Sequence, residues 1–143
     1  MVLIWQANMQ PYVIHNRWAL GDTVALSGVV RDLNLTYPGK YRISMAGSYS
    51  SYWRYFPYVY PLDPNLNAPV IQMEYDDGIR ESASGIKQHF VTFFHKKWKQ
   101  RTGIDVPVLY PKGEIFLGPN KNEKLVEGRY WVVVAGGKVD MTA

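Results

Sequence analysis

The sequence pattern predicts that one carboxylate of this chain lies at the place where α/β proteins bind their ligands. Asp22 follows an apolar run over residues 11–16 that has the composition of a strand, and it opens a helical pattern. Because ligands of parallel sheets bind beyond the carboxyl ends of the strands, this side chain is expected at such an edge. Gly21 allows a close turn there and a close approach by a ligand. Asp22 is therefore the first candidate for chemistry, and its competing role is to cap the helix.

The loop before Asp22 carries three further candidates. His15, Arg17 and Trp18 are predicted to face the same edge of the sheet. Arg17 could bind an anionic group such as a phosphate, or it could be a solvated loop arginine. Trp18 could stack on a sugar ring, or it could anchor the loop by packing.

Histidines and glycines farther along the chain supply weaker signals. His89 and His95 are six residues apart on one predicted helix, which does not place them on a common face. The three histidines of the chain show no metal-ligand spacing, so we expect no metal site. Gly136 and Gly137 follow an apolar run over 130–135 and are similar to part of a phosphate-binding turn, without the full GxGxxG pattern.

A basic run near the end of that helix is made of Lys96, Lys97, Lys99 and Arg101. Such a run is typical of a solvated helix face that complements the helix C-terminus. It could alternatively contact anionic lipid at a membrane surface or a phosphorylated sugar, and the net charge of +4 favours anionic partners in general. No nucleic-acid-binding motif accompanies the run, so nucleic acid is not an expected partner.

Composition places the chain among globular proteins. It has 143 residues, 47% of them hydrophobic, which suffices for one domain with a core. No apolar stretch reaches the roughly 18 residues of a membrane-spanning helix, and the N-terminus lacks the features of a signal peptide. The absence of cysteine excludes disulfides and thiolate metal sites. We expect a cytoplasmic protein, with peripheral contact at the inner face of the membrane as an option.

The N-terminal half predicts a strand–helix–strand unit. A strand over 11–16, with a further strand proposed over 2–6, is followed by apolar residues at helical spacing over 20–35. Residues 41–45 alternate in polarity and favour β structure, so they predict a second strand that is parallel to the first after a right-handed crossover.

The remainder predicts one strong helix among shorter elements. Apolar residues recur along 86–101 with the spacing of an amphipathic helix, which Gly103 ends. The other predictions are a short helix over 48–56, short strands over 59–63, 70–75 and 114–117, and a functional or flexible loop over 76–85. This alternation predicts an α/β fold, a Rossmann-like and mostly parallel sheet with helices on both faces.

The chain is predicted to contain one domain and the beginning of another. Residues 1–118 form the Rossmann-like domain, and the polar residues 119–129 form a linker. Residues 130–143 then hold the first strand of a second α/β domain whose remainder is missing. The chain is therefore expected to be a fragment of a larger protein.

Six short motifs, taken in their order and spacing, point to one family. They are Ala-Leu-Gly-Asp at 19–22, Val-Arg-Asp-Leu at 30–33, Tyr-Pro-Gly-Lys at 37–40, Gln-His-Phe at 88–90, Gly-Glu-Ile-Phe-Leu at 113–117 and Tyr-Trp-Val-Val-Val-Ala-Gly-Gly-Lys at 130–138. From residue 11 onward the chain resembles the N-terminal half of family 9 glycosyltransferases. These are the ADP-heptose:lipopolysaccharide heptosyltransferases and their relatives.

The resemblance implies a GT-B architecture, in which two Rossmann-like domains face each other across a cleft. It implies no catalytic metal and no cofactor. Asp22 would be the catalytic base that deprotonates the acceptor hydroxyl. The acceptor-binding residues would be His15, Arg17, Trp18, Gly21 and His89, and the donor phosphates would lie near Gly136 and Gly137.

The function implied by the resemblance is transfer of a sugar from a nucleotide-sugar donor, ADP-heptose or similar, to a lipopolysaccharide or other surface-glycan acceptor. The partners would be a glycan or lipid-linked sugar and, in a complete protein, the nucleotide sugar. Without the donor half, this chain alone is expected to be inactive. Two alternatives remain, a non-catalytic glycan-binding module and a nucleotide-binding α/β module without sugar chemistry.

Overall fold

The computed structural model describes residues 8–118. Its three strands are β1 (Gln10–Asn16), β2 (Tyr41–Gly47) and β3 (Val70–Gln72). The helices are α1 (Leu20–Thr36), α2 (Asp76–Ala83) and α3 (Phe90–Thr102), and a 3₁₀ turn covers Ser50–Trp53.

The strands form one parallel sheet in the order β2–β1–β3. β1 lies in the middle and pairs over its whole length with β2, from Gln10 opposite Tyr41 to Asn16 opposite Gly47. Parallel neighbours that follow each other in the chain need a crossover connection, which α1 provides. The prediction of an α/β fold with a parallel sheet is confirmed at this level.

Alternation along β1 sorts its side chains between the two faces of the sheet. Tyr12 and Ile14 are buried, whereas Val13 and His15 on the other face are half-buried. The Trp98 ring of α3 meets the Tyr12 ring edge-on at 5.4 Å, so α3 packs on the core face. Within residues 8–118, α1 packs beside α3 on that face, and helices on both faces remain a prediction.

Helices α1 and α3 approach each other at a point where α1 has no side chain. A Cβ built on Gly28 would lie 2.8 Å from Val91 Cγ1 of α3, inside the 3.0 Å limit of real Cβ contacts. Glycine therefore permits this packing. Leu26, Leu33 and Phe94 are fully buried around it. Burial of each such side chain contributes about 1.5–3 kcal/mol to stability.

Residues 109–114, called the strap below, cross α1 beside this contact. Ser27 Oγ accepts a hydrogen bond from the Glu114 amide at 2.8 Å. Arg31 donates at 2.8 and 3.1 Å to two strap carbonyls, those of Tyr110 and Lys112. Side chains of α1 thus hold the main chain of the strap, which has no strand partner.

The segment 76–85, predicted as a loop, contains α2, so that prediction is wrong. Ile79 is the only large apolar residue of α2, and an apolar stripe is therefore missing from the sequence. Charge stabilises the helix instead. Asp76 and Asp77 lie in its first turn, next to the positive end of the helix dipole, and Lys97 of α3 donates to both carboxylates.

The second long helix begins at residue 90 rather than 86. His89 is the N-cap of α3, and its Nδ1 accepts from the Val91 amide at 3.3 Å, which satisfies one free amide of the first turn. Ile86 lies before the helix and is 53% exposed, so it does not belong to the apolar stripe. Gly103 ends the helix as predicted, with a left-handed φ of 76°.

The predicted short elements are reduced in the structure. The helix over 48–56 is only a 3₁₀ turn, the strand over 59–63 is a single bridge between Tyr60 and Ser44, and residues 114–117 form no strand. Of the strand predicted over 70–75, only the three residues of β3 pair with β1. Short segments of this kind take their conformation from their neighbours more than from their own sequence.

Some predicted features lie outside the described residues. They are the strand over 2–6, the linker over 119–129, the strand that begins at 130, and Gly136 and Gly137. Among the helices of residues 8–118, none has the length and apolar character needed to cross a membrane.

Candidate functional site

Asp22, Gly21 and His89 line one cleft of about 500 Å³. The cleft lies between the first turn of α1, the start of α3 and the strap, and packing of α1 on α3 brings the two helix ends together. Phe90, which is 52% exposed, and Lys112 of the strap also line it. Three of the predicted site residues therefore share one cleft.

Asp22 is half-buried in the first turn of α1. Burial raises the pKa of Asp22, and the backbone amides of Ala19 and of Asp22 itself oppose this shift without cancelling it. A raised pKa makes a carboxylate a stronger proton acceptor, which suits a general base. The Asp22 charge also acts on Tyr75. The pKa of Tyr75 is raised chiefly by burial and, to a smaller extent, by the negative charge of Asp22.

His89 lines the cleft and caps α3 with the same ring. Because Nδ1 accepts the Val91 amide hydrogen, the proton of the neutral imidazole lies on Nε2. Nε2 can then donate a hydrogen bond to a ligand. His89 is thus the N-cap of α3 in the structure, and its acceptor-binding role stays a prediction.

Arg17 and Trp18 lie apart from Asp22, in a second depression of about 620 Å³ that Tyr49 also lines. Arg17 Nε donates to Glu74 Oε1 at 3.0 Å, and this contact holds the pKa of Glu74 below its usual range. The ion pair offsets the charge that Arg17 would present to an anion. Trp18 and Tyr49 are 37% and 46% exposed, so aromatic surface is accessible in this depression.

His15 occupies a third place, within β1 itself. Its ring lies on the sheet face opposite the core, where Nδ1 is 2.8 Å from Gln72 Oε1 of β3. Neither the Asp22 cleft nor the Arg17 depression is lined by His15. The structure therefore distributes the predicted acceptor-binding residues over three places.

A buried charged cluster that was not predicted from the sequence is formed by Arg31 and Asp32 of α1 and His95 of α3. None of the three is more than 4% exposed. A signal was present, because Asp32 lies three residues after Val29 and seven after Ala25, on the buried stripe of α1. A charge on a buried stripe requires partners from elsewhere in the fold.

Lys97 does not belong to a solvated basic face, so that interpretation is wrong for this residue. It is 4% exposed, and its Nζ donates to the Glu74 carbonyl and, at 3.1 and 3.4 Å, to Asp76 and Asp77. The bond from Lys97 lowers the pKa of Asp76. The other three basic residues of the run are exposed.

The chemical groups of the Asp22 cleft form a mixed set. A carboxylate, an imidazole, the Lys112 ammonium and the Phe90 ring can accept a proton, donate a hydrogen bond, attract an anion and stack on a sugar face. Within residues 8–118, no three His, Asp or Glu side chains are grouped so as to hold a metal ion.

Comparisons of the chain with known protein families, with curated proteins and with solved structures find no match. The residues of the cleft and the motif resemblance are therefore the basis for assigning a function.

Proposed function

We propose that this chain provides the acceptor side of a glycosyltransferase that moves a heptose or related sugar from a nucleotide-sugar donor to a surface glycan. One observation carries the proposal. Asp22, the base implied by the resemblance to family 9 glycosyltransferases, lines an accessible cleft and has a pKa raised by burial. A carboxylate buried away from any opening could not reach an acceptor hydroxyl.

In the proposed reaction, an acceptor hydroxyl binds in the cleft with its hydrogen directed at Asp22. The hydroxyl oxygen forms a bond to the anomeric carbon of the donor, while the bond from that carbon to the phosphate oxygen breaks. The proton passes to the Asp22 carboxylate, and the nucleoside diphosphate leaves with the bonding electron pair. A general base of this kind contributes about 10²–10⁴-fold to the rate.

The other groups of the cleft position the acceptor. The exposed Phe90 ring packs against the apolar face of a sugar, and His89 Nε2 donates to one of its hydroxyls. Lys112 attracts a phosphate carried by the acceptor glycan or its lipid. As the resemblance implies, Gly136 and Gly137 would meet the donor phosphates.

The test is a titration of the chain with a phosphorylated lipopolysaccharide core oligosaccharide, followed by NMR, and then an assay of transfer from ADP-heptose by the chain joined to the donor domain of a family 9 glycosyltransferase. We expect shifts at the amides of Gly21, Asp22, His89 and Phe90. Asp22→Asn should bind the oligosaccharide within about twofold of wild type and lose transfer by about 10²-fold or more.

The matched control is Asp105→Asn, which removes an exposed carboxylate that pairs only with Lys99 in the described part of the chain. It should leave both binding and transfer unchanged. Shifts that avoid the cleft would contradict the assignment, and so would an Asp22→Asn variant with wild-type turnover.

A non-catalytic glycan-binding module is the second candidate. The accessible rings of Trp18 and Tyr49 favour it, because exposed aromatic side chains suit sugar binding without requiring a base. Oligosaccharide shifts centred on these two residues, with no transfer by the wild-type chain even when it is joined to that donor domain, would support this function and reject the transferase.

A further inference from the structure

The buried charged cluster joins three parts of the fold through one carboxylate. Asp32 is fully buried, and its Oδ1 accepts from Arg31 Nε at 2.9 Å. Its Oδ2 lies 2.9 Å from His95 Nε2 and accepts from the Leu109 amide at 3.0 Å. The carboxylate therefore links α1, α3 and the strap.

Both ring nitrogens of His95 face acceptors. Nε2 faces the Asp32 carboxylate, and Nδ1 lies 2.7 Å from the Val91 carbonyl oxygen. A carbonyl oxygen and an ionised carboxylate can only accept, so the ring donates from both nitrogens and is an imidazolium. An unpaired buried charge would be costly, and the pairing with Asp32 offsets part of that cost.

The charges around the cluster agree with this protonation. Within residues 8–118, the charged groups that face it are Arg31 and Asp32 from α1 and Glu114 from the strap, which lies 3.5 Å from Arg31. Two cations, His95 and Arg31, thus face two carboxylates. Lysines of α3 form their contacts elsewhere.

The cluster acts on the strap, and the strap forms part of the Asp22 cleft. Asp32 holds the Leu109 amide, and Arg31 holds the Lys112 carbonyl. Pro111, Lys112 and Gly113 line the same cleft as Asp22. A shift of the Asp32 carboxylate would therefore move the strap and reshape the cleft.

We propose that His95 is a positioning residue of this site. Its doubly protonated ring fixes the Asp32 carboxylate, which with Arg31 holds the strap in the position that forms the cleft. What the cleft binds rests on the proposed function, whereas the anchoring of the strap does not.

Three variants of the chain test the role of His95. His95→Leu removes both hydrogen bonds, and His95→Gln keeps a donor near the position of Nε2. Phe93→Leu is the control, since that ring packs on Tyr75, away from the strap. The readout is hydrogen–deuterium exchange of the Leu109 amide relative to an amide in the middle of α1.

We expect His95→Leu to accelerate the relative exchange of Leu109 by about tenfold or more, as for loss of one charge-assisted hydrogen bond. His95→Gln should restore most of the protection, and Phe93→Leu should leave the ratio unchanged. Equal acceleration in His95→Leu and Phe93→Leu would overturn the proposal, because it would indicate a general loss of stability.

Two further measurements separate this inference from the proposed function. The nitrogen-15 spectrum of the His95 ring should show both nitrogens protonated, and one unprotonated nitrogen would overturn the inference. His95→Leu should weaken binding of the core oligosaccharide by about tenfold. A wild-type chain that binds no oligosaccharide would reject the proposed function, while exchange and spectra still decide the role of His95.

Discussion

Replacing Gly113 by alanine should separate the strap from α1. A Cβ at this position would overlap the backbone carbonyl of Val24, and a backbone atom cannot move aside as a flexible side chain can. The φ of Gly113 is not in the left-handed region, so the glycine is required by space alone. The main chain of the strap must then either adopt a strained conformation or move away from α1.

The expected cost follows from the bonds that lifting would break. The neighbouring anchors are the Lys112 carbonyl, bound by Arg31, and the Glu114 amide, bound by Ser27. One of these bonds involves a charged donor, and together they contribute about 2–4 kcal/mol. Strain from overpacking costs about 1–3 kcal/mol, so Gly113→Ala should destabilise the chain by about 2–3 kcal/mol.

Urea unfolding followed by tryptophan fluorescence measures this difference. Gly21→Ala is the matched control, because a Cβ there would meet no atom within 4 Å. Alanine in a helix avoids the backbone entropy of glycine, so this control should be neutral or more stable by up to about 1 kcal/mol. A Gly113→Ala variant within about 0.5 kcal/mol of wild type would refute the packing argument.

Two pH-dependent predictions follow from the carboxylates. The pKa of Asp22 is raised in the folded state by burial, so its contribution to stability is present at low pH and is lost as the pH rises through the folded pKa. Asp22→Asn should therefore gain stability relative to wild type between about pH 3 and pH 7 in urea titrations, and a difference that does not change with pH would contradict this. The pKa of Asp76 is lowered chiefly by Lys97, so its contribution is present above the ordinary pKa of aspartate and is lost as the pH falls through the folded pKa. Lys97→Met should be less stable than wild type at neutral pH, and this difference in stability should narrow as the pH falls below the ordinary pKa of aspartate and Asp76 is protonated. A difference that widens at low pH would be inconsistent with the Lys97–Asp76 pair.

The unit β1–α1–β2 could be predicted because local patterns determine it. Apolar residues at helical spacing, such as Leu26, Val29 and Leu33, bury one stripe of α1. Alternation in β1 separates buried Tyr12 and Ile14 from their neighbours. Each of these signals lies within about ten residues, so the chain sequence alone carries it.

Other parts of the fold depend on contacts between distant residues. α2 has no apolar stripe and depends on Lys97, twenty-one residues after Asp76. The strap depends on Asp32 bonding to Leu109 across 77 positions. Local patterns cannot report such pairs, although a charge on the buried stripe of α1 was a visible sign that some partner existed.

The candidate site also has one part that local sequence predicts and another part that depends on distant residues. The placement of Asp22 in the first turn of the helix that follows β1 could be predicted from the strand–turn–helix pattern around Gly21. The separation of Arg17 and His15 from it did not follow, because their partners Glu74 and Gln72 lie in or after β3. All the candidate residues from His15 to Asp22 were expected at one site, but pairing with residues of distant segments places them at three.

Because the hydrogen bonds from α1 to the strap all end on peptide groups, the side chains of Leu109, Pro111 and Lys112 are free to diversify. The hydrogen bonds that α1 makes to Leu109, Tyr110, Lys112 and Glu114 all use main-chain atoms of the strap. Arg31 also contacts two strap side chains, the Tyr110 ring and the Glu114 carboxylate. Evolution could thus change the chemistry that Pro111 and Lys112 present to a ligand without rebuilding the scaffold. Gly113 would have to stay, as would the Tyr110 and Glu114 side chains that Arg31 contacts, so ligand preference and architectural integrity are encoded at different positions.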